Sequence, residues 1–160
     1  MATDIYLKLG DIKGESQDDR HKEEIEVLAW SWGVSQAGSM HTGGGGGRGK
    51  ADFSDLNFTH YIDKASPNLL KSCANGEHVK EAKMTVRKAG KGQQEFLLIT
   101  MNDVIITNVS PAGNGGEGGL VENVGLQFAK IDLEYKPQKP DGSLEAGVHF
   151  KWDIKANKEG

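Results

Sequence analysis

The stretch HTGGGGGRGKADF, from His41 to Phe53, holds the spacing in this chain that most resembles a catalytic motif. From Gly44 to Lys50 it reads G-G-G-G-R-G-K, the glycine-and-lysine part of a loop whose backbone N–H groups cradle phosphate. The rest of that motif is missing. A hydroxyl residue must follow the lysine to hold a metal ion, and this chain has Ala51. A helix must come next, so that its N-terminus can bind phosphate, but Leu56, Phe58, His60 and Ile62 alternate with Asn57, Thr59 and Tyr61 as in a strand. The phosphate reading fails on its context.

The other reactive side chains do not assemble into a site. His21, His41, His60, His78 and His149 show no metal-ligand spacing, and the chain has neither H-E-x-x-H nor C-x-x-C. They read as scattered surface histidines. Cys73 falls on the apolar side of a short helical segment, where cysteine acts as a small buried hydrophobe. Ser31 and the carboxylates of KEEIEV make no recognisable triad. The expectation is a protein with no catalytic residue, no metal and no cofactor.

The elements around these residues read as β-structure. The chain has 160 residues, which suits one domain with one core. It has 22 glycines against 4 prolines, and short alternating segments lie between them. Ile5, Leu7 and Leu9 alternate with Tyr6 and Lys8. In IEVLAWSWGVS the apolar parity changes near Val27–Leu28, which predicts a bulge or bend there. Beyond it Trp30 and Trp32 share the core face, and Ser31 must point outward. SPNLLKSCANG reads as a helix over about 67–75, with Ser66 as N-cap, Pro67 in the first turn and Gly76 as the left-handed stop. Leu69, Leu70 and Cys73 should face a sheet.

Ala82, Met84 and Val86 mark another strand. EFLLITMNDVIITNV is apolar on both parities, so either both its faces are buried or the chain folds back near Asn102–Asp103. Val124, Leu126 and Phe128 give way to Ile131, Leu133 and Tyr135, which predicts a second bulge near Ala129. Val148, Phe150, Trp152 and Ile154 form the last strand. About eight strands and one helix result, and strands with one apolar face must close into a barrel or pack as a sandwich.

Function classes narrow accordingly. The net charge is −4, against a nucleic-acid binder. Arg48, Lys50, Lys83, Arg87, Lys88 and Lys91 could form a local basic patch, but a solvated strand face accounts for them better. No segment reaches the roughly 20 apolar residues of a membrane-spanning helix. A single cysteine excludes an intrachain disulfide. The start, MATDIYLKLGD, lacks the basic and apolar regions of a signal peptide, so export, if any, should not depend on one. The five-glycine run Gly43–Gly47 costs backbone entropy to order. It is either a mobile loop without function or a loop held by another subunit. The residues alone leave both open.

A set of stretches breaks that balance. LKLGDIKGES, EEIEVLAWSWGVSQAGSMHTGGGGG, FTHYIDKASPNLL, AKMTVRKAG and ENVGLQFAKIDLEYKPQKPDG span nearly the whole chain in order. Together they resemble the haemolysin-coregulated proteins, the tube subunits of bacterial type VI secretion systems. The resemblance implies a mainly β fold, a compact barrel of two packed sheets with one flanking helix and an extended glycine-rich loop. It implies one domain over residues 1–160 with no fused C-terminal effector domain. It implies no enzyme activity, a hexameric ring with an open centre, and rings stacked into a tube.

The implied partners are further copies of the chain, the spike, the sheath and baseplate components, and effector proteins carried in the lumen; neither nucleic acid nor a membrane is implied. The subunit would be cytoplasmic before firing, then secreted without a cleaved signal peptide. The loop carrying Gly43, Gly44, Gly45, Gly46, Gly47, Arg48 and Lys50 becomes a subunit-contact segment, and the outward Ser31 a lumen or cargo candidate. A monomeric β-sandwich that binds a carbohydrate or small ligand is the alternative. Exposed aromatics would be its signature, yet Trp30, Trp32 and Trp152 lie on apolar parities.

Overall fold

The computed structural model describes residues 2–38, 50–90, 92–116 and 118–160. The predicted glycine run Gly43–Gly47 and Arg48 therefore lie outside the described residues, as does Lys91. The strands are β1 (Thr3–Leu9), β2 (Ile25–Glu26), β3 (Ala29–Ser31), β4 (Val34–Ser35), β5 (Asp52–Phe53) and β6 (Leu56–Tyr61). The helix α1 (Ser66–Asn75) follows, then β7 (His78–Lys88), β8 (Glu95–Ala112), β9 (Val121–Tyr135), β10 (Val148–Asp153) and β11 (Lys158–Glu159). The fold is mainly β, as expected.

One sheet runs in the order β11-β10-β9-β8-β7-β1-β2, and β6 joins it between β9 and β3. A second, two-stranded ribbon is β4 with β5. This ribbon stands at the root of the glycine-rich segment. The strand β9 organises the sheet. Its first part, Val121–Leu126, pairs with β6, and its second part, Lys130–Tyr135, pairs with β10 along the same edge. Its other edge pairs with β8.

The sheet is not closed into a barrel, which corrects the expected architecture. The ladder ends at a seam where β2 and β3 separate: β2 pairs with β1, and β3 pairs with β6. Between them, Val27 N–H donates to Ile5 O at 2.9 Å and Leu28 N–H donates to Thr59 O at 2.8 Å. Ala29 also faces Thr59, so two residues oppose one. This is the bulge that the parity change at Val27–Leu28 predicted. It turns the chain from one side of the sheet to the other and interrupts the ladder in doing so.

The parity slip at Ala129 has a different cause. The β8–β9 register is unbroken there, with Asn102 opposite Lys130 and Val104 opposite Phe128. Instead, buried positions change sides on neighbouring strands along one line, from Met101 to Val104 on β8 and from Ile131 to Phe128 on β9. Asp103 sits on that line with φ of 53°, the left-handed region. The strand kinks there and continues. EFLLITMNDVIITNV accordingly neither folds back nor buries both faces throughout; it lies in one 18-residue strand that changes its buried face midway. The true bulge is on β8 between Ile106 and Asn108, opposite Leu126 and Gly125.

The helix keeps Pro67 in its first turn and Gly76 as its stop, with φ of 70° and its N–H bonded to Ser72 O. The N-cap is Ala65, not Ser66. Asp63 Oδ1 accepts the Ala65 N–H at 2.8 Å and so fixes the turn that leads into the helix, which has no side-chain cap. The buried stripe is Ser66, Leu69 and Ser72. Leu70 faces solvent, because helical spacing of three selects residues one step round from the predicted trio. The core joins Leu7, Leu9, Ile25, Leu56, Phe58, Leu69, Met84, Ile99, Met101, Val104 and Leu126, with Trp30, Trp32 and Trp152 packed on its edge.

Candidate functional site

The expected solvent-facing Ser31 is exposed on β3. Register shows what shares its face. Ser31 stands opposite Asn57, which stands opposite Gly125, which stands opposite Asn108. The next row is Ala29, Thr59, Asn123 and Ser110, and a third is Tyr61, Val121 and Ala112. Four strands thus present one surface of small, polar or weakly apolar side chains with no charge among them. Thr59 Oγ1 donates to Asn123 Oδ1 at 2.6 Å, which ties two strands across the face. Gly125 keeps the middle flat: a Cβ there would lie 2.8 Å from Thr107 Oγ1 and 3.2 Å from Asn57 Oδ1. At the margin, Asp55 is occupied by Thr107 Oγ1 at 2.6 Å and Gln127 Nε2 at 3.4 Å. Each neutral hydrogen bond this face could offer a guest nets only about 0.5–1.5 kcal/mol.

Lys50 is exposed beside this face. With Lys155 it flanks a groove whose apolar lining includes Phe53, Phe128 and Ile154, and Gln127 belongs to both groove and face. The chain after Lys50 and Ala51 is the strand β5, so no helix N-terminus exists there for a phosphate. An aromatic cluster supports the groove: Trp32 lies 6.0 Å from Phe53 and 6.3 Å from Phe150, and Phe150 stacks on Trp152 at 6.2 Å.

Two histidines depart from the expected surface placement. His60 is fully buried, its Nε2 2.9 Å from Glu122 Oε1 and its Nδ1 3.8 Å from Asp63 Oδ2. Glu122 is equally buried and directly opposite on β9. Burial alone would lower the His60 pKa, but the neighbouring carboxylates of Asp63 and Glu122, the latter in hydrogen-bond contact, outweigh it and raise the pKa above the ordinary value. His21 is also buried. It bridges Glu24 at 3.0 Å and Glu95 at 2.8 Å, and it stacks on Tyr6 at 4.6 Å. His149 remains at the surface between Asp132 and Glu134. Among the described residues, no group of three His, Cys, Asp or Glu side chains is arranged to hold a metal ion.

Arg87 also leaves the predicted solvated patch. It is 2% exposed, covered by the strap of residues 11–24. Sequence parity placed it outward, correctly, but could not show that a distant loop would cover it. The charge-free face is likewise invisible in any single strand and emerges only from the register of four.

The sequence model of the family described as Type VI secretion system effector, Hcp matches residues 6–135. The chain belongs to the Hcp family. Protein hcp1 of Pseudomonas aeruginosa is 54% identical over 159 residues, covering 98% of each chain. The crystal structure of Hcp1 from Salmonella typhimurium is 44% identical and matches with a TM-score of 0.82 over 100% of both chains. A structure described as a type six secretion system protein reaches a TM-score of 0.93 at 28% identity, covering 99% of this chain and 100% of its own. This Hcp chain is therefore a tube protein of type VI secretion, a structural component of a secretion machine, and no helix among its described residues is long and apolar enough to cross a membrane.

Proposed function

We propose that this Hcp chain closes into a hexameric ring with an open centre, and that rings stack into the inner tube expelled with the spike inside the sheath. The charge-free face carries this reading. It is wide, flat and uncharged, and exposed surface of that kind suits a channel that must hold a guest weakly and let it go. Ser31 lines the lumen in this reading, and effector proteins are the guests. The ring needs a heterologous contact that closes on itself. The segment carrying Gly43–Gly47, Arg48 and Lys50, which lies between β4 and β5 in the chain, makes contacts between subunits. The subunit performs no chemistry. It waits in the cytoplasm with the baseplate and leaves through the machine.

Two measurements test this. Six copies of 17.3 kDa give about 104 kDa, and light scattering should find that mass, with a central hole in projection by electron microscopy. A stable monomer at micromolar concentration would favour the ligand-binding sandwich instead. Second, Ser31→Gln adds bulk to the first row of the face, and co-purification of a co-expressed cargo should fall about tenfold while rings persist. Loss of the rings themselves would remove Ser31 from the lumen.

A further inference from the structure

Three places in the chain put glycine after an Asn or Asp: Asn75–Gly76, Asn114–Gly115 and Asp141–Gly142. This pairing invites a self-inflicted reaction. The glycine backbone nitrogen, unhindered by a side chain, attacks the preceding side-chain carbonyl carbon and closes a five-membered imide. The three sites share this local chemistry, but the fold treats them differently.

Asn75 is held at every atom the reaction needs. The Gly76 N–H is engaged by Ser72 O at the helix stop. The Asn75 side chain donates from Nδ2 to Glu77 Oε1 at 3.0 Å and accepts the Glu77 N–H on Oδ1 at 2.9 Å. The carbonyl carbon cannot swing toward the Gly76 nitrogen without breaking these bonds and unwinding the cap.

Asp141 is held in a similar way. The Gly142 N–H donates to Lys139 O at 2.9 Å. Asp141 Oδ1 accepts both the Ser143 N–H at 2.9 Å and the Ser143 hydroxyl at 2.6 Å. An aspartate must be protonated to lose water, and the Ser143 hydroxyl followed by its N–H holds this carboxyl below its usual pKa.

Among the described residues, Asn114 has no such restraint. Asn114 and Gly115 are both exposed in the β8–β9 connection. Among the described residues, neither the Asn114 side chain nor the Gly115 N–H makes a hydrogen bond, and the space where a Gly115 Cβ would stand is open to 4 Å.

We propose that Asn114–Gly115 is a self-modification site, where Asn114 deamidates while the fold keeps Asn75 and Asp141 intact. The Gly115 nitrogen loses its proton to solvent base and bonds to Asn114 Cγ. The Cγ–Nδ2 bond breaks, and Nδ2 leaves as ammonia. Water then opens the imide at either carbonyl, giving aspartate or isoaspartate. No oxidant and no enzyme is needed. The product puts a new carboxylate two residues beyond Ala112, at the end of the charge-free face. The isoaspartate form also lengthens the main chain by one methylene in the connection that packs Leu120 against Gly113.

The test follows full-length folded protein through incubation in mildly alkaline, ammonia-free buffer made with heavy-oxygen water. Peptide mass spectrometry reads label incorporation at Asn114 and Asn75, and a chromatographic shift reads isomerisation at Asp141. A second sample in guanidinium reads the same sites unfolded. In the folded protein Asn114 should convert at least about tenfold faster than Asn75, the factor set by breaking one or more hydrogen bonds before attack. In guanidinium the two asparagines should converge. Equal folded rates, a faster Asn75, or an inert Asn114 would overturn the assignment. So would a rate gap that survives unfolding, because the discrimination would then lie in local sequence.

Discussion

Arg87→Met is expected to lower folding stability by about 3–5 kcal/mol, measured as the shift in urea midpoint at unchanged slope. The guanidinium is a charge that the strap of residues 11–24 closes over. Its Nη1 donates to Asp18 Oδ1 at 3.0 Å, and Nη2 donates to Asp18 Oδ2 and to the Tyr6 hydroxyl, the latter at 3.0 Å. Its central carbon stands 4.8 Å above the Tyr6 ring, and Nε lies 3.6 Å from Asp4 Oδ2. Methionine matches the length of the stem but leaves the Asp18 carboxylate and the Tyr6 hydroxyl without their donor in a covered site.

The pair should be coupled: Arg87→Met with Asp18→Asn should lose less than the two single changes together. A loss under about 1 kcal/mol for Arg87→Met would mean that water enters beneath the strap. The Arg87 hydrogen bond also holds the Asp18 carboxyl down at about 2. A depressed carboxylate contributes stability above its unfolded pKa, and that contribution disappears as pH falls from the ordinary value of 3.8 through about 2. The Arg87→Met variant should lack this acid-side slope.

The second large effect belongs to His60 and Glu122. His60→Leu is expected to cost about 3–5 kcal/mol, because it strands the fully buried Glu122 carboxylate beneath the sheet. Replacing both, His60→Leu with Glu122→Leu, should return most of that loss, since a buried pair and a packed apolar pair differ little. Thermal unfolding of the single and double variants decides the matter. If the double variant is as weak as the single, packing volume and not charge is at fault. The pH dependence carries the opposite sign to that of Asp18. The folded His60 pKa is raised, so its stabilisation is full below the unfolded value of 6.5 and fades as pH rises through the folded one. The wild type should lose stability on the alkaline side, and the double variant should not.

What the sequence made legible was whatever one strand decides alone. Alternation placed Trp30 and Trp32 on the core and Ser31 outside, and a change of parity located the bulge at Val27–Leu28. Gly76 announced its own left-handed stop. What stayed hidden depends on segments far apart in the chain. Arg87 lies on the outward parity of β7, as parity required, and only the strap, whose Asp18 is 69 positions away, makes it a buried residue. His60 shares the buried parity of Leu56 and Phe58, which one strand decides, but its partner Glu122 is set only by the register in which β6 pairs with β9. The slip at Ala129 was visible, but its cause was on β8, where a left-handed Asp103 kinks the sheet. Ser31 could be named as outward from alternation, while the ten uncharged neighbours that give its face a character come from β6, β8, β9 and one residue of its own strand.

The way β9 holds its neighbours has a mechanical consequence. One continuous strand of 15 residues carries β6 and then β10 in series along a single edge, with β8 bound along the other. A force applied along β9 would act in shear, loading many backbone hydrogen bonds at once instead of opening them one by one. The kink line at Asp103 does not relieve this, because both long strands run through it unbroken. Resistance to stretching is thus greatest along β9, and the seam of β2 and β3, where the ladder is already interrupted, lies off that strand.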